Sequence, residues 1–352
     1  MAEQNYHESI KIKNTLILRE RLKLLPPFLA EFFRGIADTT LIRTRMGYAY
    51  DLGIFFDFLT REGRFCGKTA RELSLEDLRE ITIDDLEEYS EYLSYYINQD
   101  GSGREYERHN QERGKSRKLS ALRTMFTYFY KKRKLDANPS ELIGMPKARD
   151  KVIVRLEADE TAKLLDEVES GENLPGRAKK FHELTKTRDL AIVTLLLGTG
   201  MRVSECVGIN IEHVNFDISA VKVTRKGGNE ALIYFGDEVE AALAAYLDLR
   251  ENITAKPGHE SALFISLRNS RITVRAVQNL VKKYSRLVTS YKNITPHKLR
   301  STYGTSLYRE TGDIYLVAEV LGHKDVNTTK KHYADMGEDM KRRAAGAVRL
   351  RD

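Results

Sequence analysis

Tyr48, Leu52, Phe55, Phe56 and Leu59 fall at i, i+4, i+7, i+8 and i+11, so together they line one face of a helix and cannot line one face of a strand. Three other segments of the first half repeat this spacing. Phe28, Leu29, Phe32, Phe33 and Ile36 follow Pro26 and Pro27. Leu86, Tyr89, Leu93, Tyr96 and Ile97 follow Asp84 and Asp85, whose carboxylates suit a helix N-terminus. Leu119, Leu122, Phe126, Phe129 and Tyr130 belong to a helix starting near Ser116, with Arg117, Lys118 and Arg123 expected on its outward side. Four amphipathic helices with aromatic inner faces predict an all-α bundle, and the stripes are its core.

A chain of 352 residues exceeds one ordinary core, so two domains are expected. The string A-N-P-S ends the bundle, and M-P-K-A-R-D-K-V-I-V reads as an extended linker. This places a helical domain at 1–147, a linker at 148–154 and a second domain at 155–352. Residues 98–115 read as a long polar loop, of a length usually functional or mobile. The second half mixes classes. Helices are expected over 158–168, 188–197, 237–249, 273–288, 297–311 and 313–320. Short strands are expected over 221–224 and 232–235 around K-G-G-N, with 262–265 a candidate third strand. The fold class is therefore two-domain and mainly α: a helical bundle plus an α+β domain with a small antiparallel sheet.

Hydrophobic residues at 41% with 31% charged describe a soluble globular protein. The net charge of +7 is uneven: Arg104 to Lys134 holds eleven Lys/Arg against three Glu, a net of +8, leaving about −1 elsewhere. Such a stretch suggests a polyanion, most often a phosphate backbone, and makes Arg117, Lys118 and Arg123 candidate DNA contacts. Cys66 and Cys206 form neither a disulfide framework nor a metal spacing, which fits a reducing cytoplasm and gives no reason to expect a metal or cofactor. The start M-A-E-Q-N-Y-H-E carries no visible signal peptide, and the longest apolar run, 190–197, is too short to span a bilayer. No Gly-rich nucleotide fingerprint is present.

The candidate chemistry is spread over the second half. Arg202 follows Gly198, Thr199 and Gly200, which permit close backbone approach, and Glu205 three residues on can orient its guanidinium. His297 and Arg300 share a helix face behind Thr295 and Pro296, pairing a proton carrier with a bidentate phosphate ligand. Gly322 reads as a helix C-cap from which His323 projects. Lys226 sits at a hairpin tip, where its long stem can reach a neighbouring site. Tyr333 follows the polar D-V-N-T-T-K-K-H and stands apart from any apolar stripe, so its phenol is free to present an oxygen. Arginines to neutralise phosphate oxygens, a phenol to attack phosphorus, and Lys or His to move protons are what metal-free phosphodiester attack requires.

These strings carry a resemblance over the whole chain. R-D-L-A-I-V-T-L-L-L-G-T-G-M-R-V-S-E, V-T-R-K-G-G, T-P-H-K-L-R and L-G-H…Y resemble the tyrosine recombinase (phage-integrase) family, and most closely its Xer branch of the single-protein kind. The resemblance implies a SAM-like core-binding bundle clamping duplex DNA and a catalytic domain over 155–352. It implies Arg202, Lys226, His297, Arg300 and His323 around the phosphate, Tyr333 as nucleophile and Glu205 in support. It further implies double-stranded DNA with paired inverted half-sites, a dimer per site and a homotetramer, with a terminal helix at about 337–349 docked on a neighbouring subunit. An activating DNA translocase or accessory protein belongs to the same expectation, as does chromosome dimer resolution. Two departures stand out: the step from His323 to Tyr333 is ten residues, one longer than is frequent, and Ser301 stands where a second histidine is frequent. Other readings are a mobile-element integrase, a type IB topoisomerase and a non-enzymatic DNA-binding protein. The lack of an obvious arm-type extension before residue 20 favours the Xer branch, and the full catalytic set argues against the last.

Overall fold

The aromatic stripes of the first half close on one another in the computed structural model, which describes residues 6–99, 103–147, 154–225, 228–323 and 325–326. The chain divides into two compact units, 2–151 and 152–352. In the first, helices α1 (Tyr6–Leu22), α2 (Leu29–Gly35), α3 (Ile42–Arg61), α4 (Leu75–Arg79) and α5 (Ile83–Tyr92) precede a hairpin of β1 (Tyr95–Gln99) and β2 (Glu105–His109), and α6 (Glu112–Lys131) follows. Phe28 meets Phe56 and Phe129 edge-on, with ring centroids 5.9 and 5.6 Å apart, as aromatic quadrupoles favour. Ser74 and Thr82 start α4 and α5 through reciprocal capping boxes with Asp77 and Asp85.

The third expected helix stops at Tyr92, short of Tyr96 and Ile97. Those two residues lie in β1, opposite Arg108 and Glu107. Strand β2 and the start of α6 thus occupy much of the expected 98–115 loop. The sequence E-Y-E-R-H has one apolar-faced residue, so it shows no strand alternation. Lys118 and Arg123 also differ from expectation, because they turn inward. Lys118 is 5% exposed and donates to Asn110 Oδ1 at 2.7 Å. Arg123 donates from Nε to the Ser140 carbonyl at 2.9 Å and from Nη2 to that of Ile143. Arg117 is exposed but ion-paired with buried Asp51.

The second unit contains α7 (Ala158–Ser170), α8 (Gly176–Thr199), α9 (Val203–Cys206), the antiparallel sheet β3 (Val214–Asn215)–β4 (Ala220–Thr224)–β5 (Glu230–Tyr234), and then α10 (Asp237–Arg250), α11 (Val274–Val288), α12 (Pro296–Thr311) and α13 (Ile314–Leu321). Helix α8 is central, packing on α7, α10 and α12. It begins at Gly176 and not at Arg188, because its first turns bury polar groups that break the apolar period. Among them, Thr185 Oγ1 and Tyr284 of α11 donate to buried Asp189 at 3.0 and 3.2 Å, joining α8 to α11. Segment 262–265 is not the third strand: it makes isolated bridges, Asn210 with Ala262 and Ile265 with Arg271, and β3 fills that place. The other helices expected in this unit lie within two residues of the observed bounds, whereas α6 of the first unit begins at Glu112, four residues before the expected Ser116.

Candidate active site

Helix α13 ends at Leu321, and its last carbonyls need partners from outside the helix. Gly322 adopts φ 63° and ψ 46°, a left-handed cap. Its N–H donates to Glu319 O at 2.8 Å and that of His323 to Ala318 O at 2.9 Å, the bond pair of a Schellman motif. The next three carbonyls are taken by arginines from separate parts of the chain. Arg225, just past β4, donates from Nη2 to Val320 O at 3.3 Å. Arg300 on α12 donates from Nη2 to Leu321 O, and from Nη1 to Gly200 O at 2.8 Å. Arg202, between α8 and α9, donates from Nη2 to Gly322 O at 3.2 Å. His323 is the next residue along.

Carbonyl acceptors orient a guanidinium without cancelling its charge, and a helix C-terminus favours cations. Arg202 is further fixed by Glu205, which is 3% exposed: Nη1 donates to Oε1 and the Arg202 backbone N–H to Oε2, both at 2.8 Å. The expected orienting role of that carboxylate thus has its geometry. Arg300 is 5% exposed, so its charge is held in the interior by these acceptors.

Gly200 makes the convergence possible. Its φ of +62° disfavours any side chain, and a Cβ there would overlap Tyr303 Cδ1 and stand 2.9 Å from Leu321 Cδ2. Leu299 is fully buried, and Tyr303 and Leu307 pack on Val317 and Leu321, locking the helix that carries His297 and Arg300. Burial raises the Tyr303 phenol above its ordinary range, keeping it protonated. It also lowers the neighbouring Lys298 ammonium. His297 is exposed in the first turn of α12, one turn before Arg300.

Arg202, Arg300 and His323 therefore come together at one turn, with Glu205 behind Arg202. Lys226, Tyr333 and the expected 337–349 helix lie outside the described residues. Arg117, Lys118 and Arg123 belong to the other unit. Sequence reasoning missed Arg225 and the row of backbone acceptors, which have no side-chain signature. Among the described residues, no group of three or more His, Cys, Asp or Glu could hold a metal ion, and no helix is long and apolar enough to cross a membrane.

Comparison with known proteins matches this framework. The phage integrase family model aligns with residues 154–339. Tyrosine recombinase XerC of Caldanaerobacter subterraneus subsp. tengcongensis is 33% identical over 330 residues, covering 90% of this chain and 85% of that protein. Tyrosine recombinase XerS of Lactococcus lactis subsp. cremoris is 29% identical over 353 residues, covering 92% and 96%. Among solved structures, the XerH site-specific recombinase in a post-cleavage complex with palindromic difH substrate aligns with a TM-score of 0.64 at 17% identity, covering 98% of this chain and 91% of that one. The Tn1549 transposon integrase with circular-intermediate DNA gives 0.63 at 18%, covering 86% and 93%. These two likenesses are of fold.

Proposed function

The chain belongs to the phage integrase family and is a tyrosine site-specific recombinase; on that premise we propose that Tyr333 is its nucleophile and that the α13 turn holds the scissile phosphate. The observation that carries the reading is the seating of three guanidiniums on consecutive carbonyls, Val320 to Gly322, beside His323. Arg202 and Arg300 neutralise the non-bridging oxygens as charge builds on them. The Tyr333 oxygen attacks phosphorus and forms a 3′-phosphotyrosyl bond. The 5′-oxygen leaves with a proton from Lys226, while His297 and His323 accept or donate protons around the phosphate. The 5′-hydroxyl of a partner duplex then reverses the step, so the ester conserves the bond energy and neither ATP nor a metal is required.

The substrate is double-stranded DNA with paired inverted half-sites, bound by a dimer per site and a tetramer in the exchange complex. The XerH comparison, a relative bound to a palindromic substrate, supports that symmetry. The biological event is chromosome dimer resolution in the cytoplasm, which relatives named XerC and XerS along nearly the full chain favour. An activating translocase or accessory protein and docking of 337–349 on a neighbour complete the reading. Suicide-substrate trapping tests its centre: intact protein forms a covalent DNA adduct and Tyr333→Phe forms none. An adduct retained by Tyr333→Phe overturns the assignment.

A further inference from the structure

Arg225 joins two parts of the site that are far apart in the chain. Its backbone closes the β4–β5 hairpin: the N–H donates to Asn229 O at 2.7 Å, and the carbonyl accepts from Gly228 N–H at 3.1 Å. Its side chain leaves the hairpin and lies on the α13 turn. Nη2 reaches Val320 O at 3.3 Å, and a Cβ on Gly322 would overlap Nη1 and stand 2.6 Å from Cζ. The guanidinium thus occupies the space that glycine leaves open. Nε is buried with no hydrogen-bond partner among the described residues. Such a placement does not maximise the side chain's own bonding, but it does fasten the turn end of the hairpin to the α13 turn before His323. The residue after Arg225 is Lys226.

We propose that Arg225 is a positioning residue for the general acid: by clamping the hairpin to the α13 turn, it fixes where Lys226 is presented to the leaving 5′-oxygen. This rests on the reading of Lys226 as that acid. A lysine on an untethered hairpin tip samples many rotamers in solvent, and misplacement of a reacting group by about 1 Å can cost roughly 10²-fold in rate. Arg225 touches no reacting atom in this scheme. It acts by limiting where its neighbour can go.

The test is single-turnover cleavage of two substrates, one with the natural 5′-bridging oxygen and one with sulfur in that place. In both, a bond forms from the tyrosine oxygen to phosphorus and the bond to the 5′-atom breaks. Sulfur departs with its electron pair as a thiolate and needs no proton, whereas oxygen takes one from the acid. Arg225→Ala is expected to be slowed roughly 10–10²-fold on the oxygen ester and, like Lys226→Ala, to approach the wild-type rate on the sulfur ester. Arg225→Lys should fall between. If Arg225→Ala fails to fold, Arg225→Met, which keeps a long stem against Gly322 but has no donor for Val320 O, carries the same comparison. Restoration of Lys226→Ala without restoration of the Arg225 variant overturns the proposal alone, as does a wild-type rate for that variant on the oxygen ester. Lys226→Ala left equally slow on both substrates overturns the reading of Lys226 and the proposal with it.

Discussion

Between Arg104 and Lys134 the cations are dense in sequence and scattered in space, whereas Arg202, Arg225 and Arg300 are scattered in sequence and gathered at one turn. In the first region four of the cations go to four different neighbours. Arg117 reaches Asp51 of α3, Lys118 reaches Asn110, Arg123 reaches the carbonyls of Ser140 and Ile143, and Lys134 reaches Glu31 of α2 at 2.5 Å. These contacts hold the helical unit together. In the second region three arginines share consecutive carbonyls at one helix end. Cations adjacent in sequence therefore need not gather in space, whereas gathering arginines from separate segments takes a scaffold that supplies neutral acceptors in a row.

The largest expected effect on this contrast comes from Gly200→Ala. It combines a left-handed backbone with overlap on Tyr303, at a cost of about 2–5 kcal/mol. It should lower Tm by several degrees and cut DNA cleavage, because the Gly200 carbonyl holds Arg300. A Tm within a degree of wild type would show that the close approach is not required. Arg117→Ala should cost about 1–2 kcal/mol, since it leaves Asp51, 2% exposed, without its ion-pair partner. Cleavage of bound DNA should proceed at the wild-type rate in that variant; slowed chemistry would blur the division between the two regions.

The smallest effect is a pH dependence. Burial raises the Asp51 carboxyl above its ordinary 3.8, with Arg117 and Lys118 pulling the other way. The folded state then holds that proton more tightly than the unfolded one. Its contribution is full below 3.8 and is lost as pH rises through the raised value. Asp51→Asn should remove this slope, so urea midpoints of wild type should fall relative to the variant as pH rises from about 4. A wild-type midpoint that rises relative to the variant with rising pH would reverse the sign assigned to Asp51.

Much of this was legible before any coordinates. The apolar period of α3 and α6, the shared face of His297 and Arg300, the Arg202–Glu205 pairing and the Gly322 cap all follow from side-chain type and spacing. The rest resisted for physical reasons. Strand β2 pairs through backbone bonds while its side chains stay polar. The first turns of α8 bury His182, Thr185 and Asp189, which satisfy one another or nearby groups instead of displaying an apolar stripe. Lys118 looks solvated until Asn110 is found beside it. The acceptors that gather the arginines are main-chain oxygens, which every residue has, so no motif marks Val320, Leu321 or Gly200 for that role.

The central claim, that Arg202 and Arg300 on the α13 turn neutralise the scissile phosphate, is tested most directly by removing the charge from the substrate. A methylphosphonate at the scissile position replaces one non-bridging oxygen by a methyl group. Arg202→Ala and Arg300→Ala should each lose roughly 10²–10³-fold in cleavage rate on the natural phosphodiester and recover most of that loss on the methylphosphonate. Equal losses on both substrates would contradict the account.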